Sequence, residues 1–116
     1  MFWIKILKAF FHKDYKLIFC HPNKLNKFGY GNIIKKKGFK VTGAIWEITK
    51  EHEEILDKYE GFPNIYNKEY FYLDWKKIMF YIMKEYFIKD PPKSYIDVIN
   101  DGYKDCNIDL RIHYRF

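Results

Sequence analysis

Glu60 is the residue whose type and setting most readily suggest chemistry. It lies in the run Leu56-Asp57-Lys58-Tyr59-Glu60-Gly61-Phe62-Pro63. Gly61 can end a helix in the left-handed conformation and Pro63 keeps it from restarting, so Glu60 is expected at the negative end of a helix dipole. Its charged form is disfavoured there. A carboxyl group pushed up in this way can take and return a proton near neutrality, as a general acid/base must. The plainer reading of Glu60 is one more solvated acid on a helix that already carries Glu51, Glu53 and Glu54.

The segment from Val41 to Tyr66 would hold that acid. Val41, Gly43 and Ile45 alternate with Thr42, Ala44 and Trp46, the period of a half-buried strand. Thr49 offers an N-cap oxygen ahead of Glu51, Glu53 and Glu54, and a helix of about three turns follows, with Ile55, Leu56 and Tyr59 as its apolar stripe.

Around this segment, Trp3, Ile6, Leu7 and Phe10 have helical spacing and predict a short helix over residues 2–11, although their aromatic content also allows a strand. Tyr15–Cys20 reads as a strand ending near His21-Pro22. From Pro22 to Gly38 the composition turns to Asn, Lys and Gly, which predicts a long loop, with Lys35-Lys36-Lys37 in a turn. Tyr66–Asp74 and Ile78–Phe87 predict a strand hairpin turned at 74–77, its second strand buried on both faces. After Asp90-Pro91-Pro92, Ser94 is expected to cap a helix, with Asp97 completing a variant capping box, that stops at Gly102. Ile108–Phe116 alternates as a strand or an extended tail.

The 116 residues fit one domain, 1–116, and 48% hydrophobic content supplies a core for it. The formal charge is +6 and the pI about 9.2, which raises the question of an acidic partner. The lysines are scattered over every segment apart from the one cluster Lys35-Lys36-Lys37, no nucleic-acid motif accompanies it, and solubility is the stronger explanation of the charge. Cys20 and Cys106 lack CxxC spacing, and His12, His21, His52 and His113 lack ligand spacing, so no metal site is expected. There is no Gly-rich phosphate loop and no recognisable nucleophile paired with histidine. The apolar N-terminus is interrupted by Lys5 and Lys8 and has no small-residue cleavage site; with two lone thiols, this suggests a cytoplasmic protein that does not span a membrane.

Four pieces in order carry a resemblance to a known family: Val41-Thr42-Gly43-Ala44-Ile45-Trp46-Glu47-Ile48, then Leu56-Asp57-Lys58-Tyr59-Glu60-Gly61, then Tyr66, then Pro91–Ile99 with Gly102. Together they resemble the gamma-glutamylcyclotransferase-like superfamily, including its AIG2-like branch, from about Tyr15 to Gly102. The resemblance implies an α+β fold, a small mixed β-barrel or sheet with flanking helices. It implies that the α-amine of a small gamma-glutamyl amine or peptide attacks its own gamma-carbonyl and releases 5-oxoproline, with no cofactor. Glu60 then matches the family's catalytic acid, and Gly61, Tyr66 and Tyr95 match positions around the substrate.

The chain departs from the family at its front. Family members open with a strand and a Tyr-Gly-Ser-Asn-type loop whose amides grip the substrate carboxylate, whereas no glycine precedes Tyr15 here. Gly29-Tyr30-Gly31-Asn32 echoes that loop but corresponds to a different part of the family. Loss of one preorganised donor costs on the order of a hundredfold in rate. Two functions therefore stand side by side: a reduced cyclotransferase using Glu60, and a catalytically degenerate binding or inhibitor protein, such as one encoded by a phage or mobile element, directed at a protein or protein–RNA assembly. The oligomeric state is left open.

Overall fold

The computed structural model describes residues 5–108, with side chains described from residue 13 onward. Its fold is α+β, in the order β1 (Lys5–His21), β2 (Tyr30–Glu47), α1 (Lys50–Tyr59), β3 (Asn67–Leu73), β4 (Lys76–Ile82), β5 (Phe87–Ile88) and α2 (Lys93–Asp105). The strands form one sheet in the order β2-β1-β5 and a separate β3-β4 hairpin, all neighbours antiparallel. No closed barrel is formed among the described residues.

The long β1–β2 ribbon is the frame. β1 begins at Lys5, so the described part of the predicted N-terminal helix, residues 5–11, is strand. Side-chain spacing suggested a helix, but pairings such as Lys8 with Ile45 and Ala9 with Ala44 give the backbone its partners across the ribbon. The expected loop after Pro22 ends earlier than predicted, because β2 starts at Tyr30. The register jumps from Lys13 opposite Lys40 to Tyr15 opposite Lys35, so residues 36–39 bulge out against Asp14 alone. Asp14 (φ 62°) and Gly38 (φ 90°) take left-handed conformations there, and the Gly38 N–H donates to Asp14 Oδ1 over 3.1 Å.

Helix α1 is capped as expected: the His52 N–H donates to Thr49 Oγ1 over 3.1 Å, and the Thr49 N–H donates back to His52 Nδ1. Its expected apolar stripe is largely outside: Ile55 and Tyr59 are exposed, no α1 residue is fully buried, and only Leu56 of the three is half-covered. The helix is instead tied to the hairpin by polar groups. Lys68 Nζ donates to Glu53 Oε2 (2.6 Å) and Asp57 Oδ2 (2.9 Å), and the Tyr81 hydroxyl donates to Asp57 Oδ1 (2.6 Å).

The predicted strand over 78–87 divides. β4 stops at Ile82, Met83 turns inward at 1% exposure, and Phe87 and Ile88 pair with β1 while remaining exposed. Asn32, 2% exposed, is bonded at this break: its Nδ2 donates to the Met83 carbonyl (2.9 Å) and its Oδ1 accepts from the Met83 N–H (2.8 Å). One side chain thus satisfies both backbone groups of the residue that follows β4. Cys20, Tyr66 and Met83 form the buried centre, with Ile18, Tyr30, Ile65, Tyr81 and Tyr86 packed against it.

Helix α2 also differs from expectation. Its N-cap is Pro92, with no side-chain cap bond, which places Ser94 and Asp97 within the helix, and it continues through Gly102 to Asp105. Tyr103 docks it by donating to the Thr42 carbonyl over 2.9 Å. The predicted tail element beyond Ile108 lies outside the described residues. No helix among the described residues is long and apolar enough to cross a membrane.

Candidate functional site

Glu60 is the C-cap residue of α1, with φ −83° and ψ −4°. The turn after it is a Schellman motif: the Gly61 N–H donates to the Lys58 carbonyl (3.2 Å) and the Phe62 N–H to the Asp57 carbonyl (2.8 Å). Gly61 has φ 66°, so the sequence reading of this exit is correct. A Cβ on Gly61 would lie 3.0 Å from Ile65 Cδ1, and the Ile65 N–H donates to the Gly61 carbonyl over 2.7 Å. The glycine thereby brings Ile65 back under the helix end and delivers Tyr66 to the core.

The Glu60 carboxyl group is half-buried and makes no hydrogen bond or ion pair with the described residues. Burial pushes it above the ordinary glutamate range. Its charge is felt by Tyr66, Tyr81 and Tyr95: burial is the main reason each phenol is raised, and Glu60 adds to it in all three. The acid and the three phenols therefore share one neighbourhood although they come from the end of α1, the start of β3, β4 and α2.

Tyr66 and Tyr95 meet at Gly31. The Tyr66 hydroxyl donates to the Gly31 carbonyl over 2.6 Å, and the Gly31 N–H donates to the Tyr95 hydroxyl oxygen over 3.0 Å. A carbonyl only accepts, so Tyr66 commits its single proton to Gly31. Tyr95 accepts from the amide, and its hydroxyl is also hydrogen-bonded to that of Tyr66. A Cβ at Gly31 would sit 3.0 Å from the Tyr95 hydroxyl oxygen, which explains why the backbone is bare at this point. Tyr30 and Phe19 hold the Tyr95 ring edge-on, with centroids at 5.2 and 6.3 Å.

Gly31 and Tyr81 are the members of this group that the sequence did not supply. Gly31 stood out only as part of an echo of a glycine motif, and nothing in the chain marked Tyr81, one of 11 tyrosines. Tyr81 links Glu60 to a second charged group. Burial opposes the ionisation of Asp57, but the Tyr81 hydroxyl and the Lys68 ammonium outweigh it and hold Asp57 below the usual aspartate range. Lys68 is raised: desolvation works against its charge, and Glu53 and Asp57 more than offset it. Asp57 is thus fixed as a carboxylate while Glu60, three residues on, is the acid that holds a proton more readily.

A cleft of about 550 Å³ lies between the end of β2, α1 and the hairpin, lined by Ile45, Trp46, Leu56, Phe71 and Tyr81 among others. It touches the Glu60 neighbourhood through Tyr81, and neither Glu60 nor Tyr95 lines it. Among the described residues no group of three or more His, Cys, Asp or Glu side chains could hold a metal ion. Cys20 is fully buried with Sγ 3.6 Å from Met83 Sδ, and burial pushes its thiol up while a bond from Asn32 opposes the rise. It is a packing residue and a poor nucleophile.

The sequence profile of the family described as gamma-glutamyl cyclotransferase, AIG2-like, matches residues 7–103. Among solved structures, the chain is similar to the human uncharacterized protein loc79017, with a TM-score of 0.74, 21% identity, and coverage of 96% of this chain and 78% of that one. It is also similar to a protein described as gamma-glutamyl cyclotransferase, with a TM-score of 0.72, 23% identity, and coverage of 90% and 68%. A comparison with curated proteins finds no match.

Proposed function

Because the chain belongs to the gamma-glutamyl cyclotransferase, AIG2-like family, we propose that it releases 5-oxoproline from a small gamma-glutamyl amine or peptide, with Glu60 as the proton-transferring group. The observation that carries this reading is the state of Glu60: a half-buried carboxyl raised by desolvation, with no bond to the described residues that would occupy it, beside phenols that meet on one glycine.

In this reaction the Glu60 carboxylate takes a proton from the substrate's α-ammonium. The freed amine attacks the gamma-carbonyl carbon and forms the ring C–N bond, and the carbonyl electrons move to oxygen. As the C=O bond re-forms, the bond to the leaving nitrogen breaks; Glu60 returns its proton to that nitrogen, and the extra proton left on the ring nitrogen passes by way of the same carboxyl group to the departing amine, which leaves as an ammonium ion. One carboxyl group serves each transfer, and it ends in the state in which it began. A raised pKa suits this double role, because acid and base forms then lie closer in energy.

Tyr95, held by the Gly31 N–H and hydrogen-bonded to Tyr66, lines the substrate side of this group in the proposed reaction. Tyr66 holds the Gly31 backbone, and Gly61 sets the turn that aims Glu60. A panel of gamma-glutamyl amines and dipeptides, assayed for 5-oxoproline, tests the reading. Turnover of at least one compound, reduced about a hundredfold to ten-thousandfold in Glu60→Gln, is expected. No turnover across the panel, or turnover unchanged in Glu60→Gln, refutes it.

A further inference from the structure

The bulge in the β1–β2 ribbon brings the sequence cluster Lys35-Lys36-Lys37 together with lysines of β1. Lys35, Lys36, Lys37 and Lys40 lie on its β2 side, and Lys13 and Lys16 on the β1 residues across the register jump. Asp14 is the acid within this set, and its Oδ1 is engaged by the Gly38 N–H. The set carries five of the six net positive charges of the whole chain, so the remainder of the protein is close to neutral.

Lys24, Lys50, Lys58, Lys76, Lys93 and Lys104 are exposed as well but are spread over other elements, and some lysines outside the bulge are engaged. Lys68 lies between Glu53 and Asp57, Lys84 faces Glu69 at 3.6 Å, and Lys77 covers the Tyr70 ring. Lys13, Lys35, Lys36 and Lys37 are exposed and make no ion pair with the described residues. Lys16 lays its ammonium 4.9 Å from the centroid of Phe39, which is 43% exposed. A Cβ on Gly38 would meet nothing within 4 Å, so the bulge stands in open space.

We propose that this lysine bulge is a docking surface for the phosphate backbone of nucleic acid, read without sequence preference and independent of the chemistry at Glu60. Charge complementarity is the main argument, since phosphate binding is carried by clustered cations that displace condensed counterions. The make-up of the patch separates this partner from others. Protein interfaces are depleted in lysine and built on buried aromatic and arginine anchors, and the bulge has one aromatic, already covered by Lys16. Membrane-surface binding uses a broad apolar face together with the cations, and none accompanies this set.

Fluorescence anisotropy of the full chain with a labelled mixed-sequence oligonucleotide, single-stranded and duplex, tests the proposal. With about five phosphate contacts on a single strand the expected slope of log K against log salt is about −3.5, or roughly a hundredfold weaker binding between 50 and 200 mM salt. The variant Lys35→Ala/Lys36→Ala/Lys37→Ala should lower the slope by about 2 and the affinity more than tenfold. Its fold is checked by an unchanged melting curve, and Lys93→Ala/Lys104→Ala on α2 should bind as the unsubstituted chain does. Absence of salt-dependent binding to both probes overturns the proposal. So does binding indifferent to the triple substitution, equally tight capture of polyglutamate, or binding to phosphatidylserine vesicles in place of the oligonucleotide.

Discussion

Replacing Asn32 by Ala removes the side chain that satisfies both backbone groups of Met83. Asn32 and Met83 are 2% and 1% exposed, so water cannot easily take the place of the two bonds, at 2.8 and 2.9 Å. Each buried group left without a partner costs about 1–3 kcal/mol, which puts the substitution at roughly 2–6 kcal/mol. That is a large part of the 5–15 kcal/mol typical of a domain. With a urea m-value of about 2 kcal/mol/M, the midpoint should fall by roughly 1–3 M with m unchanged. Asn32→Asp provides a control with the same shape. A carboxyl group there can accept from the Met83 N–H, but only its protonated form can donate to the Met83 carbonyl. Its folded pKa should therefore lie above the unfolded value of about 3.9, and its stabilising contribution is complete below that value and lost as pH rises through the folded pKa. The stability gap between Asn32→Asp and the unsubstituted chain should accordingly be smallest near pH 4 and widest near pH 7. An Asn32→Ala chain within about 0.5 kcal/mol of the original, or an Asn32→Asp gap that does not change with pH, refutes the claim that Asn32 holds Met83 in place after β4.

Two further substitution sets probe the elements that frame the site. Lys68→Met and Tyr81→Phe each take a partner from Asp57, so the Asp57 carboxyl, followed by NMR titration, should move up in both variants. Because the folded pKa of Asp57 is depressed, its contribution is present above the unfolded value and lost as pH falls through the folded one; Lys68→Met should cost about 2 kcal/mol at pH 7 and less in acid. Gly29→Ala should destabilise the chain by more than about 2 kcal/mol, since its Cβ would fall 2.7 Å from both Cys20 N and the Lys89 carbonyl oxygen. Gly102→Ala, inside α2 with nothing within 4 Å, should instead stabilise by about 0.5–1 kcal/mol; thermal melts of the pair check both signs.

The parts of the fold legible in the sequence are those fixed by neighbours in the chain. Thr49 caps α1 and Gly61 ends it because each acts within a few residues, so the placement of Glu60 at the helix exit follows from local rules. The convergence of Tyr66 and Tyr95 on Gly31 spans 35 and 64 positions, which no local pattern records. Pairing likewise overrides periodicity at residues 5–11, where the helical spacing of apolar side chains yields to a partner strand. At α1 the reverse error arises: Ile55 and Tyr59 look like a buried stripe, yet the helix is held by Glu53 and Asp57 on Lys68 and Tyr81, polar contacts that an apolar pattern cannot reveal. Asn32, read as part of a family-like segment, acts as a substitute strand partner for Met83, a role visible only with Met83 beside it.

The pH dependence of 5-oxoproline release from a gamma-glutamyl substrate tests the Glu60 account most directly. Burial raises the Glu60 pKa, so kcat/KM should rise with pH along a limb whose midpoint lies above the ordinary glutamate value of about 4.3, and Glu60→Gln should abolish that limb together with most of the rate. Failure to form 5-oxoproline at any pH, or a limb that persists in Glu60→Gln, would contradict it.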